Sequence, residues 1–337
     1  MPDTRAAPPD GPAGPQFQTA PFHHVSAQAP SVARAVWTHT KDGTRLRLGL
    51  LGRGTHGTVL LLQGRTEYLE KYGRVARRFA DLGYGMVSVD FRGQGLSDRP
   101  LPDAQIGHVS RFADYQQDVA ELVAFAQAEA MPRPWFLLAH SLGGAIGLRA
   151  LRNKLDVAAA VFSAPMWGIN VPSALRPLTY GLGWIAHTGQ LNAWITPGMS
   201  RKVYAATADP SANLLTHDPE GLAYMQAHLT ADPALGLGAP SLAWVYQAMM
   251  ECRSLRHSPS PPVPSLTFLP TGDKVVSQHV VRSMIARWPN ARLVDIPDGA
   301  HETMMETAAR QDLFFSSSAE FFNAHRAKAI TAQQQVD

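Results

Sequence analysis

The 337-residue sequence predicts an α/β protein with a largely parallel sheet, and three observations carry that expectation. Short continuous apolar runs alternate with amphipathic segments of helix length, the pattern of strands covered on both faces by crossover helices. One of these runs passes through Ala139-His140-Ser141-Leu142-Gly143 directly into a helix start. An acidic residue, Asp273, and then a histidine, His301, each follow a later strand-like run.

Composition narrows the function classes. At 45% hydrophobic residues the chain can bury a core large enough for one big α/β domain with an insertion, or for two small domains. Lys plus Arg number 30 against 27 Asp plus Glu, a formal charge of +3. With no dense basic run, that balance gives no expectation of nucleic-acid binding. Arginines gather between Arg65 and Arg111, interleaved with Glu and Asp. They are read first as a solvated surface and second as a transient contact with an anionic membrane surface. The single cysteine, Cys252, excludes an internal disulfide and is read as a small half-buried hydrophobe. No stretch approaches the ~18 uninterrupted apolar residues of a membrane span. The N-terminus lacks the charged-then-apolar order of a signal peptide, so the expected location is the cytoplasm.

Taken in order, residues 1–32 are rich in Pro, Ala and Gly and poor in large apolar side chains. They are read as a flexible tail, because such a segment buries too little to offset its ordering entropy. Residues 35–40 and 45–51 flank Lys41-Asp42-Gly43, a hairpin signal. Residues 58–63 form an apolar run of strand length. Tyr72, Val75, Phe79 and Leu82 give residues 70–82 a helical period, and 85–90 is the next strand. A helix is expected over 111–130, a strand from Trp135 into the Ser141 turn, and another strand over 157–163. The alternation then stops. Residues 164–259 hold scattered Trp, Tyr, Met and Leu broken by Pro and Gly, and are read as a mostly helical cap. The Pro-rich stretch 258–264 marks the return to the core, which continues with strand 265–269, helix 277–288, strand 292–296 and helix 303–326. The core is thus placed at 33–163 and 260–327, with 328–337 as a C-terminal tail.

The turn at Ser141 is Gly-x-Ser-x-Gly with alanine at the first position. Such an elbow lifts one side chain above the sheet in a strained conformation, and the helix that follows aims unsatisfied N–H groups beside it. An ordinary helix N-cap is the bland alternative for Ser141, and the strand-to-helix context stands against it. A serine hydroxyl needs a base, normally a histidine oriented by a carboxylate. The order Ser141, Asp273, His301, each beyond a strand, places all three at one edge of a parallel sheet. His279 is expected on a helix surface, His140 points elsewhere if Ser141 crowns the turn, Asp295 sits inside the last strand, and Asp298 shares the histidine's loop. The oxyanion site needs two N–H donors, and the amides of Leu142 and Arg65 are the candidates. Only the amide of Arg65 is required, so its side chain is free to face solvent. His301-Glu-Thr-Met-Met-Glu306 begins like a zinc-protease helix but lacks the second histidine, so no metal site is expected. The stretch from Asp90 to Ser97 lacks the third glycine of a dinucleotide fingerprint and is read as a structural turn.

Over residues 35–325 the sequence resembles the α/β-hydrolase superfamily, and within it the bacterial lysophospholipases and monoacylglycerol lipases. The resemblance lies in Gly64-Arg-Thr-Glu-Tyr68, Asp90-Phe-Arg-Gly-Gln-Gly95, His108-Val-Ser-Arg-Phe112 with Asp114, Tyr115 and Asp118, and His301-Glu302 with Glu306. Gln63 departs from the histidine common before the oxyanion glycine, and Ala139 departs from the first elbow glycine. The resemblance implies a mostly parallel eight-stranded sheet flanked by helices, a lid-like cap, a Ser–Asp–His esterase and no cofactor. The expected activity is hydrolysis of lipid-like carboxylic esters, such as a lysophospholipid or a monoacylglycerol. A small-ester carboxylesterase, a serine peptidase, and a non-catalytic binding module on the same fold are the alternatives.

Overall fold

A computed structural model describes residues 17–170, 181, 184–185, 193–196 and 198–334, with side chains to 327. Among the described residues, nine strands form a single sheet: β1 (Gln18–Ala20), β2 (Arg34–His39), β3 (Arg45–Gly52), β4 (Thr58–Leu62), β5 (Gly85–Asp90), β6 (Trp135–His140), β7 (Ala159–Ser163), β8 (Ser265–Pro270) and β9 (Ala291–Ile296). Their spatial order is β1-β2-β3-β5-β4-β6-β7-β8-β9, antiparallel from β1 through β5 and parallel from there to β9. The parallel strands from β4 to β8 are buried on both faces, while the edge strand β9 is half-exposed, and the side-chain alternation of β4 and β6 makes the two-sided burial visible. Leu60, Leu62, Leu137 and Ala139 join one core cluster. Val59, Leu61, Phe136 and Leu138 join the other.

Helices cover those faces. Among them, α1 is His24–Ala27, α2 is Gly73–Asp81, α3 is Tyr115–Ala128 and α4 is Leu142–Arg152. The apolar stripe of α2, through Val75, Ala76 and Phe79, is buried, while Arg77 and Arg78 stay exposed. The Asp90 turn is structural, as expected. The Asp90 carboxylate accepts from the amides of Leu69 and Leu96 and from the buried Arg47 guanidinium, which also pairs with Glu70. Beyond β7 lie α5 (Tyr204–Thr207), α6 (Pro219–Ala231) and α7 (Leu242–His257). Asp218 caps α6 through the Glu220 amide with Pro219 behind it, and Ser241 caps α7 through the Trp244 amide. The chain closes with α8 (Gln278–Ile285) and α9 (Ala308–Gln334).

Several boundaries differ from the sequence expectations. The sheet has a ninth strand because part of the supposed tail is ordered: β1 pairs with β2 through Gln18↔Trp37. Residues 21–28 then dock on the core. The Tyr224 hydroxyl donates to the Ala27 carbonyl at 2.7 Å, and Arg47 Nη1 donates to that of Pro21 at 3.0 Å. Local composition hid this docking because its partners lie far along the chain. Residues 1–16 lie outside the described residues. At the other end, α9 runs on to Gln334, so most of the stretch read as a C-terminal tail is helical. The cap is also narrower than 164–259. Trp244, Ala248, Cys252 and Leu255 of α7 belong to the main core cluster, and Arg149 of α4 pairs with Glu251. Among the described residues, no helix is long and apolar enough to cross a membrane.

Candidate active site

The site is built on the C-terminal ends of the parallel strands. β6 delivers the chain into a turn at Ser141, whose φ of 48° and ψ of −114° lie where an L-residue is strained. The surroundings hold it there. Ser141 N donates to the Ser163 carbonyl at 3.1 Å, while the Ser141 carbonyl accepts from the amides of Gly144 and Met166. Glycine is required at 143, since a Cβ there would stand 2.1 Å from the Leu62 carbonyl oxygen. Leu142 opens α4, so its amide has no acceptor within the helix and is available beside the serine.

The three residues separated in sequence meet here. His301 Nε2 lies 2.9 Å from Ser141 Oγ, and His301 Nδ1 lies 2.7 Å from Asp273 Oδ2. All three are buried, at 7%, 5% and 6% exposure for Ser141, His301 and Asp273. The other Asp273 oxygen accepts from the amides of Val275 and Val276. Burial alone would raise the Asp273 pKa, but the bond to His301, its charge and these amides outweigh it, and the carboxyl is held below its ordinary value. The acid and histidine loops are tied directly, Gly272 N donating to the Gly299 carbonyl at 3.0 Å. Glu306 fixes the histidine loop by accepting from the Ala300 amide at 2.7 Å.

The competitors fall away on position. His279 is exposed on α8, Asp295 is occupied by Arg282 at 2.6 Å, and Asp298 is exposed. Cys252 is buried with its thiol toward the Met166 carbonyl at 3.3 Å, and burial pushes its pKa up to about 12. Arg65 follows Gly64 in the turn after β4, as expected, but its side chain is half-buried rather than free in solvent. It turns inward, Nη2 donating to the Gly238 carbonyl at 2.6 Å with the guanidinium over the Trp244 ring at 5.2 Å.

Sequence reasoning missed a buried ionic cluster against the histidine. Lys71 Nζ stands 2.6 Å from Glu67 Oε1 and 2.7 Å from Glu302 Oε1. His140 Nε2 faces the same two carboxylates at 3.5 and 3.3 Å, and its ring centroid lies 5.0 Å from that of His301. Burial opposes charge on Lys71 and His140, yet the carboxylates of Glu302 and Glu67 outweigh it and raise both pKa values. Burial likewise opposes ionisation of Glu302, and Lys71 and His140 reverse it, holding its pKa well below the ordinary value. Ligand atoms of Glu67, His140 and Glu302 lie within 4.8 Å of one another, but the Lys71 ammonium already sits between the two carboxylates. The available signal was the Glu67–Lys71 spacing of four, which the turn between β4 and α2 obscured.

Above Ser141 and His301 opens a cavity of about 490 Å³. Its wall includes Met166, Ile169, Met225, Leu229, Trp244 and Val245, with Arg65 at the turn after β4. Trp244 is buried at 5% exposure and donates Nε1 to the Tyr115 hydroxyl, whereas Met199 and Tyr204 on the rim are exposed. Tyr180, another aromatic of the expected cap, lies outside the described residues.

The likeness to known proteins agrees with this architecture. The chain is 29% identical over 291 residues to lysophospholipase L2 of Escherichia coli strain K12, covering 82% of this chain and 84% of that protein. It is 29% identical over 255 residues to a probable lysophospholipase L2 of Haemophilus influenzae, covering 74% and 78%. In fold it is similar to a soluble variant of monoglyceride lipase from Saccharomyces cerevisiae, solved with a substrate analog, at a TM-score of 0.67 and 18% identity over 88% of this chain and 96% of that one. A family model described as serine aminopeptidase, S33 matches residues 53–308, which carry the elbow, the acid loop and the histidine loop. With that match spanning most of the chain, the protein belongs to the serine aminopeptidase S33 family and has the α/β-hydrolase fold.

Proposed function

We propose that the protein hydrolyses lipid-like carboxylic esters through an acyl-enzyme, with Ser141 as nucleophile. The reading rests on one observation above the others: the Ser141–His301–Asp273 hydrogen-bonded chain opens into a cavity walled mainly by apolar side chains. His301 takes the serine proton as Oγ attacks the ester carbonyl and returns it to the leaving alcohol. Asp273 holds the imidazole so that Nδ1 carries its proton toward the carboxylate. The amides of Leu142 and Arg65 receive the oxyanion. Water then attacks the acyl-enzyme with His301 again as base. The curated relatives, which are lysophospholipases, support a lipid ester as the substrate. Exposed Trp194, Met199, Tyr204 and Leu214 on the cap support transient contact with a lipid surface.

The family description favours a second reading, an aminopeptidase. An N-terminal ammonium would need a free carboxylate, and Glu67 and Glu302, which line the cavity, are both bonded to Lys71. That counts against an aminopeptidase. The test is a series of esters of one leaving group. Each methylene buried on the apolar wall contributes about 0.8 kcal/mol, so kcat/KM should climb from acetyl to medium-chain esters until the wall is covered. Turnover of acetyl esters as fast as octanoyl ones sinks the lipid reading, and faster cleavage of aminoacyl amides favours the peptidase. A serine-directed phosphonate should label Ser141, which a silent binding module would not allow.

A further inference from the structure

Among the described residues, several buried or half-buried arginines are matched to carboxylates. Arg47 pairs with Glu70 and Asp90, Arg92 with Asp118 and Asp42, and Arg149 with Glu251. Arg99 and Arg152 bond only to backbone carbonyls among the described residues, and Arg65 shares that lack of a carboxylate, but of the three it alone lines the cavity above Ser141. Among the described residues no carboxylate pairs with it, and its Nε is enclosed with no hydrogen-bond partner. Its polar contact is the Gly238 carbonyl, and its guanidinium packs over Trp244. Burial pushes its pKa down to about 10, with Arg99 adding a second positive charge nearby, so the group is still a cation at neutral pH. Taking a cation out of water without a counter-charge is costly, and here the uncompensated charge stands on the wall of the catalytic cavity. Lys71, a second cation on that wall, is already held by two carboxylates.

We propose that the Arg65 guanidinium selects the head group, holding the phosphodiester of a single-chain lysophospholipid while its acyl chain lies along the apolar wall. This rests on the ester-hydrolase reading above and narrows it. Three considerations converge on a phosphodiester. A guanidinium donates charge-assisted hydrogen bonds to phosphate oxygens, and the Nη2 bond to Gly238 holds the group on the cavity wall with its charge uncompensated. The length of the Arg65 side chain separates its head from the amide assigned to the oxyanion. A glycerol backbone separates the ester carbonyl from the phosphorus by a similar number of bonds. A monoacylglycerol, with a neutral head group, would leave the charge uncompensated, so the cavity wall favours the anionic ester.

The test compares 1-dodecanoyl lysophosphatidylcholine with monododecanoylglycerol, both held below their aggregation concentrations, in the wild-type protein and in Arg65→Gln and Arg65→Lys. The wild type should prefer the phosphodiester. In Arg65→Gln the ratio of the two kcat/KM values should fall about ten- to a hundredfold, the worth of a charge-assisted hydrogen bond. Arg65→Lys should keep part of it. Dodecylphosphocholine and 1-O-dodecylglycerol, which carry no carboxylic ester, give the same comparison as inhibitors, and the ratio of their inhibition constants should shift in parallel. Melting curves of the variants guard against misfolding, and the wild-type preference stands as a separate measurement if a variant fails to fold. Equal use of the two esters by the wild type, or a proportional loss on both in Arg65→Gln, overturns the assignment while leaving the ester hydrolase in place. Failure of the wild type to hydrolyse any ester or react with the phosphonate overturns the ester-hydrolase reading itself.

Discussion

At the residue scale, the separation between a structural and a chemical role is sharpest at Ser141. Its hydroxyl is a single small group facing the cavity, so Ser141→Ala should keep the fold and lose esterase activity by ~10⁴-fold or more. His301→Ala should be nearly as damaging, because the two act as one unit. Substantial turnover by a folded Ser141→Ala protein would refute the mechanism. Asp273 faces the histidine at 2.7 Å, whereas Asp298 is exposed in the same loop region. Asp273→Asn should therefore cut kcat by up to ~10⁴ by favouring the wrong imidazole tautomer. Asp298→Asn should leave kcat near normal. A reversed pattern in steady-state assays would reassign the acid.

At the element scale, the cluster of Glu67, Lys71, His140 and Glu302 joins the turn after β4, the end of β6 and the histidine loop. His140 is raised above its ordinary value of 6.5 in the folded protein, because Glu302 and Glu67 overcome the burial that opposes its charge. A raised native pKa stabilises the protonated form. Its contribution is fully present below about 6.5 and is lost as pH rises through the higher native value. Glu302 runs the other way: its lowered pKa contributes stability above the ordinary carboxylate value of 4.5, lost as pH falls. The melting temperature should therefore decline on the alkaline side in the wild type, and His140→Gln should flatten that decline. Identical alkaline slopes for the two proteins, measured by thermal melts between neutral and alkaline pH, would show that His140 carries no charge in the fold.

At the scale of the whole molecule, the N-terminal segment behaves as part of the domain. β1 extends the sheet, Ala27 is fully buried, and a Cβ at Gly73 would stand 1.9 Å from the Ala27 carbonyl oxygen. The His228 ring bonds to the Ser26 carbonyl at 2.8 Å, and His23 pairs with Asp232 at 2.9 Å. The segment thus bridges the sheet edge and α6. Deleting residues 1–32 should lower the melting temperature by several degrees, since it strips buried contacts and edge pairing together. Deleting only residues 1–16 serves as the reference, and equal melting of the two truncations would mean the docked segment adds no stability.

The sequence by itself determined the strands of the parallel core, because a strand buried on both faces must be apolar along its whole length and so announces itself locally. It also marked Ser141, Asp273 and His301, since a strained strand-to-helix turn demands small neighbours and the loops after strands share one edge of a parallel sheet. What it could not express were partnerships between distant segments. Residues 17–32 look like a tail until Tyr224 and Arg47 supply their partners, and α7 reads as cap until its Trp244–Leu255 stripe meets α4. Arg65 reads as a solvated arginine until the fold turns it onto the cavity wall. The charge cluster around Lys71 and the uncompensated guanidinium of Arg65 were decided only by the tertiary structure. An electrostatic environment depends on which groups are brought within a few ångströms and shielded from water, and that is a property of the packed molecule.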